Sequence, residues 1–95
     1  MFKVVYNKCY GGFNLSDEAI AWMRERGYLG SDYDIPRHHP LLVECVETLG
    51  DKASGECSKL TIRILTKPKY RISEYDGYER VIEYGEDVYE DARKY

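Results

Sequence analysis

Three polar turns hold the residues of this sequence that could do chemistry. They are Cys9-Tyr10-Gly11-Gly12-Phe13, Pro36-Arg37-His38-His39-Pro40 and Glu74-Tyr75-Asp76-Gly77-Tyr78. The first leaves an apolar run and leads toward a helix start. Glycines there allow close backbone approach, and free N–H groups ahead of a helix can cradle an anion. Neither GxxxxGK[ST] nor GxGxxG is present, so the loop matches no phosphate-binding signature. In the second turn, Arg37 has the planar fork that reads carboxylate or phosphate bidentately. The alternative is that Arg37 pairs with Asp32 or Asp34 and one histidine caps the following helix. The third turn sets Glu74 opposite Glu79 if its loop is two residues long, and like charges facing each other are unfavourable. Arg37, Arg71 and Arg80 are the candidate positive partners. The expected ligand-binding set is Tyr10, Gly11, Gly12, Arg37, His38, Tyr75 and Asp76.

Catalytic readings are thinner. Cys9 with His38 or His39 as base would make a nucleophile only if its pKa were depressed. The two histidines are adjacent, and neighbouring side chains diverge on most backbones. A metal site would therefore need further ligands from elsewhere. The acidic hairpin alone provides too few oxygens for a divalent cation. No catalytic residue, cofactor or metal is assigned.

The elements that must position these turns follow from periodicity. Phe2 to Tyr6 is β-branched and aromatic, which predicts a strand. Ser16 is an N-cap, with Asp17 and Glu18 in the first turn. Leu15, Ala19, Trp22 and Met23 share one helical side, and Gly27 ends that helix. Pro40 suits the first position of a second helix. Its stripe is Leu42, Cys45, Val46 and Leu49, and Gly50 stops it. Asp51 to Gly55 is a polar loop. Lys59 to Leu65 alternates, with Leu60, Ile62 and Ile64 expected inside and Thr61 and Arg63 outside. Tyr70 to Tyr84 predicts a hairpin with a type I′ turn at Asp76-Gly77. In that register Tyr75 faces Tyr78 and Ile72 faces Val81. A three-residue loop with Gly77 in αL would shift it.

The expected order is β-α-α-β-β-β, with a possible last α. That is an α+β two-layer sandwich with a mainly antiparallel sheet and a C-terminal β-hairpin. Residues 1–84 form one domain, and 85–95 form an acidic-to-basic extension suited to a short docked helix.

Composition narrows the function classes. Ninety-five residues fit one domain, and 43% hydrophobic with 33% charged residues suits a globular chain. A net charge of −3 and no basic run argue against duplex nucleic acid. No stretch is long and apolar enough to span a membrane, and the start lacks a signal-peptide pattern. Three cysteines without CxxC spacing suit reduced thiols in a cytosol. Ten tyrosines are many for this length, and Tyr suits both strands and binding surfaces.

The same turns carry a resemblance. Val5-Tyr6-Asn7-Lys8-Cys9-Tyr10-Gly11-Gly12-Phe13-Asn14-Leu15-Ser16, Tyr33-Asp34-Ile35-Pro36-Arg37-His38-His39-Pro40-Leu41-Leu42 and Tyr70-Arg71-Ile72-Ser73-Glu74-Tyr75-Asp76-Gly77-Tyr78-Glu79 span nearly half the chain. In these stretches the sequence resembles a family of small uncharacterised proteins of tailed phages and other large DNA viruses. The resemblance implies a viral accessory protein acting in a host cytoplasm. It also implies that His39 carries less than Arg37 or His38, because relatives vary toward Asp there.

Binding is therefore expected over catalysis. One version sequesters a phosphate-bearing small molecule or nucleotide signal of host defence, with Tyr10 or Tyr75 stacking on a base. Another docks on a host protein and inhibits or redirects it, using Tyr and Arg as anchors. A third is a small Cys- or metal-dependent enzyme. A homo-oligomer is compatible with all three.

Overall fold

Val4 and Val5 are both fully buried, although they are neighbours on one strand. Successive side chains on a strand point to opposite faces, so this strand must be covered twice. The computed structural model describes residues 2–31, 34–66 and 69–83, and shows how that happens. Strand β1 (Phe2–Asn7) pairs antiparallel with β2 (Leu60–Leu65), with Val5 opposite Ile62 and Val4 opposite Arg63. On one face, Val5 packs with helices α1 (Asp17–Glu25) and α2 (Pro40–Leu49). On the other, Val4 and Leu65 pack with Val81 of a hairpin formed by β3 (Tyr70–Tyr75) and β4 (Tyr78–Glu83).

The class is α+β, and the order β-α-α-β-β-β with a hairpin at its end is as expected. The four strands divide into two antiparallel two-stranded sheets, β1–β2 and β3–β4. The extension at 85–95, with its expected helix, lies outside the described residues. Among the described residues, no helix is long and apolar enough to cross a membrane.

Both helices begin and end where their residue types require. Ser16 Oγ accepts from the Ala19 N–H at 3.0 Å, and Asp17 and Glu18 fill the positive first turn of α1. Gly27 follows with a φ of 94°, a left-handed conformation that side chains resist. Ala19 and Met23 are buried, while half-buried Trp22 is covered by the Arg26 guanidinium, 3.7 Å from its ring. In α2, Leu42, Val43, Cys45 and Val46 are buried. The segment after it tightens into a 3-10 turn (Gly50–Ala53) that buries Ala53 in the core.

Strand β2 departs from its expected pattern. Leu65 is fully buried on the face where Thr61 and Arg63 were expected to meet water, whereas Ile64 is 54% exposed. The hairpin causes this. It covers the second face of the sheet, and one Arg63 guanidinium nitrogen donates to the Val81 carbonyl at 2.7 Å. Local alternation cannot register a layer contributed by residues that come later in the chain.

The hairpin adopts the two-residue register. Tyr75 faces Tyr78, Glu74 faces Glu79 and Ile72 faces Val81. Asp76 and Gly77 have φ of 52° and 87°, the two positive values of a type I′ turn.

Burial makes one thiol inert. Desolvation pushes Cys45 up from 9.0 to about 11, with Arg26 pulling against it and Glu18 adding to it. Exposed Cys57 has no such shield. Iodoacetamide at about pH 8 is expected to alkylate Cys57 in the folded chain and to reach Cys45 only on unfolding, as read by peptide mass spectrometry.

Candidate functional site

The turn between the helices is built by its two prolines. His39 N–H donates to the Pro36 carbonyl at 2.9 Å, and Pro40 opens α2. His39 is the N-cap, and its Nδ1 accepts from the Leu41 N–H at 3.1 Å. This tight path turns Arg37 back onto the outer edge of β1. Its carbonyl accepts from the Val5 N–H at 2.8 Å. Its guanidinium donates twice to Glu79, at 2.5 Å to Oε1 and 2.9 Å to Oε2. Its side chain is thus held by Glu79 rather than by Asp34, and the other expected partner, Asp32, lies outside the described residues.

Glu79 also accepts from the Asn7 N–H at 2.9 Å and is only 5% exposed. The Phe13 ring lies 3.7 Å beneath the guanidinium carbon. Arg37 is thus the positive partner that the hairpin required. It resolves the Glu74–Glu79 conflict: Glu79 turns inward to the cation, while exposed Glu74 accepts from the Gly77 N–H at 3.2 Å. A fork-to-fork pair of this kind is charge-assisted and directional.

The Gly11-Gly12 loop meets the hairpin turn directly. A Cβ placed on Gly77 would lie 2.5 Å from the Gly12 nitrogen and 2.6 Å from that of Gly11. A Cβ on Gly11 would meet the Cys57 carbonyl oxygen. These glycines permit three backbone segments to touch. Asn7 binds the same junction from within. Its fully buried amide donates to the Cys9 carbonyl at 2.7 Å and the Gly77 carbonyl at 2.8 Å. Its Oδ1 accepts from the Lys59 N–H at 2.7 Å.

The three turns therefore meet, through contacts among themselves. Arg37, Gly11 and Gly12 lie within this junction. Tyr10, Tyr75 and Asp76 point outward from it. Tyr10 is 65% exposed and rests on Tyr78, with ring centroids 5.0 Å apart; Tyr75 is 78% exposed. His38 faces elsewhere, with Nδ1 2.7 Å from the Tyr70 hydroxyl. Burial raises the Tyr70 pKa against the opposing pull of Arg37.

Two shallow grooves flank this arrangement. One of about 640 Å³ runs between Gly11 and Ser54–Cys57, and Asp17 and Glu56 line it with negative charge. The other, about 650 Å³, contains His38, Tyr70, Phe2 and Lys3. Neither holds both Arg37 and the glycine pair. Cys9 Sγ points to the Tyr10 carbonyl at 3.8 Å while His38 engages Tyr70, so thiol and imidazole have separate partners. Among the described residues, no three His, Cys, Asp or Glu side chains group as metal ligands.

Asn7 was missed in the sequence. Its signal was present: it lies two residues after Val5, at an inward position where an apolar side chain belongs. A polar residue there marks a buried hydrogen-bond network.

Removing one partner of the ion pair strands the other charge in a half-buried site. Glu79→Ala is expected to cost about 3–5 kcal/mol in urea denaturation, whereas replacing both residues by apolar ones costs less. Arg37→Lys keeps the charge but loses the fork, and falls between. Gly77→Ala is expected to lower the melting temperature in a thermal scan, because its Cβ meets glycine backbone and its φ is positive.

No family model matches the chain, and neither a curated protein nor a solved structure matches it.

Proposed function

We propose that this chain is a small viral accessory protein that works by docking on a host protein in the host cytoplasm. The observation that carries the reading is the aromatic tip. Tyr10 and Tyr75 are largely exposed, yet they stand on turns locked together by the Arg37–Glu79 pair and the Asn7 amide. Large rings held rigidly lose little conformational entropy on binding, which makes Tyr a frequent interface anchor. The polar hydroxyls keep such a surface wet until a partner covers it. The surrounding charge is acidic at Glu74 and Asp76, which favours a partner with basic residues at its rim.

Sequestering a phosphate-bearing small molecule is the second reading. The exposed rings could stack on a base. The phosphates would then have to draw Arg37 from Glu79, leaving a buried carboxylate without its cation, which is costly. The acidic lining beside Gly11 opposes the same ligand. Protein docking needs neither change.

A photo-crosslinking amino acid in place of Tyr75, used in host lysate, is expected to capture one dominant protein. With that protein purified, Tyr10→Ala and Tyr75→Ala are each expected to weaken binding by about tenfold or more, the scale of an interface hot spot. Unchanged affinity in both variants would move the interface elsewhere. Calorimetric titration with a nucleotide panel tests the second reading, and binding that disappears in Arg37→Ala would favour it.

A further inference from the structure

We propose that His39 makes the start of α2 sensitive to pH, because its imidazole caps the helix only while it is neutral. The Leu41 N–H can only donate, so the His39 Nδ1 that accepts it at 3.1 Å carries no hydrogen. That assigns the single ring hydrogen to Nε2. A second proton on the ring goes to Nδ1, the atom that faces the Leu41 N–H. The cap then becomes two donors pointed at each other.

The adjacent histidine escapes this conflict. His38 Nδ1 lies 2.7 Å from the Tyr70 hydroxyl, and a hydroxyl either donates or accepts. That contact survives protonation with its roles exchanged. A backbone amide cannot exchange roles, so of the two histidines His39 alone loses its partner.

The described surroundings offer an imidazolium no compensation. From the segment after α1, Tyr28 meets the His39 ring at 76° with centroids 5.2 Å apart, and its hydroxyl donates to the Ser31 carbonyl. The first turn of α2 holds no acid, and a helix N-terminus is itself positive. Within the same turn, Arg37 is a further cation, and Glu79 holds it. Among the described residues no carboxylate pairs with the His39 ring. Protonation therefore removes a hydrogen bond and sets like charge against the helix end. The cap contributes above the range where an imidazole ordinarily protonates, about pH 6.5, and is lost as pH falls through it.

The consequence reaches beyond the helix. His39 N–H donates to the Pro36 carbonyl, and its own carbonyl accepts from the Val43 N–H. The same residue thus closes the turn that presents the Arg37 carbonyl to Val5. In mild acid the start of α2 and this turn loosen together. The inference does not rest on the docking of the aromatic tip, which lies on other turns.

Amide hydrogen exchange of the wild-type chain, corrected for intrinsic rates, is the first test. Protection at Leu41, relative to Cys45 deeper in the same helix, is expected to fall about tenfold between pH 8 and pH 5. That is the scale of a lost N-cap together with an opposed helix dipole. His39→Asn supplies a neutral cap that does not titrate. Its unfolding equilibrium in urea is expected to shift about tenfold less than that of wild type over the same range, since both chains share every carboxylate. His38→Gln is expected to follow wild type. Constant relative protection at Leu41 overturns the proposal without any variant. So does a His39→Asn chain with the pH dependence of wild type, or a His38→Gln chain that has lost it.

Discussion

Arg37 and Glu79 are 42 residues apart and share two hydrogen bonds in a largely water-excluded junction. Such a pair is not free stability. Taking both charges from water is expensive, and the attraction between them offsets the cost only when the geometry is good and the remaining lone pairs are used. Here they are used. Glu79 also accepts the outward N–H of Asn7, the Arg37 carbonyl takes that of Val5, and Phe13 lies beneath the guanidinium. The pair therefore does two jobs. It closes the outer edge of β1, and it fixes the hairpin against the loop between the helices.

The rest of the architecture is arranged around that closure. β1 is buried on both faces, so it needs helices on one side and strands on the other. The hairpin turn lies directly against the Gly11-Gly12 loop, an approach that the missing Cβ of Gly77 allows, while Gly11 leaves room for the Cys57 carbonyl and Gly12 takes a φ of 98°. Asn7 then satisfies the carbonyls of Cys9 and Gly77, which the contact would otherwise leave buried and unpaired. Packing, glycine placement and hydrogen bonding act at the same junction, and each depends on the others.

This closure also sorts the polar residues by availability. Arg37 and the glycine pair have the chemistry of an anion site, but their groups are turned to one another or to Glu79. Of the tyrosines around them, Tyr10 and Tyr75 remain at the surface. The tip of the hairpin consequently presents aromatic and acidic side chains, Tyr75 with Glu74 and Asp76, beside Tyr10.

Local structure was legible in the residues because its causes are local. Ser16, Gly27, Pro40 and Gly50 delimit the helices through caps and backbone freedom, and Asp76-Gly77 selects the type I′ turn that sets the hairpin register. The α+β order and the burial of Cys45 follow from the same patterning. That three turns rich in Gly, Arg, His and Tyr belong together was also readable. Which of their groups would satisfy each other was not. Arg37 had several acidic candidates of equal chemistry, and only the three-dimensional path of the chain brought Glu79 within reach. The exposed side of β2 was likewise misjudged, because a strand's own alternation carries no information about a second layer arriving later in the chain. The sequence by itself determined the elements and the residue types at the junction, through local sterics and capping. Tertiary structure alone decided that the cation would be spent inside and the tyrosines left outside, since that choice rests on distances between residues far apart in the chain.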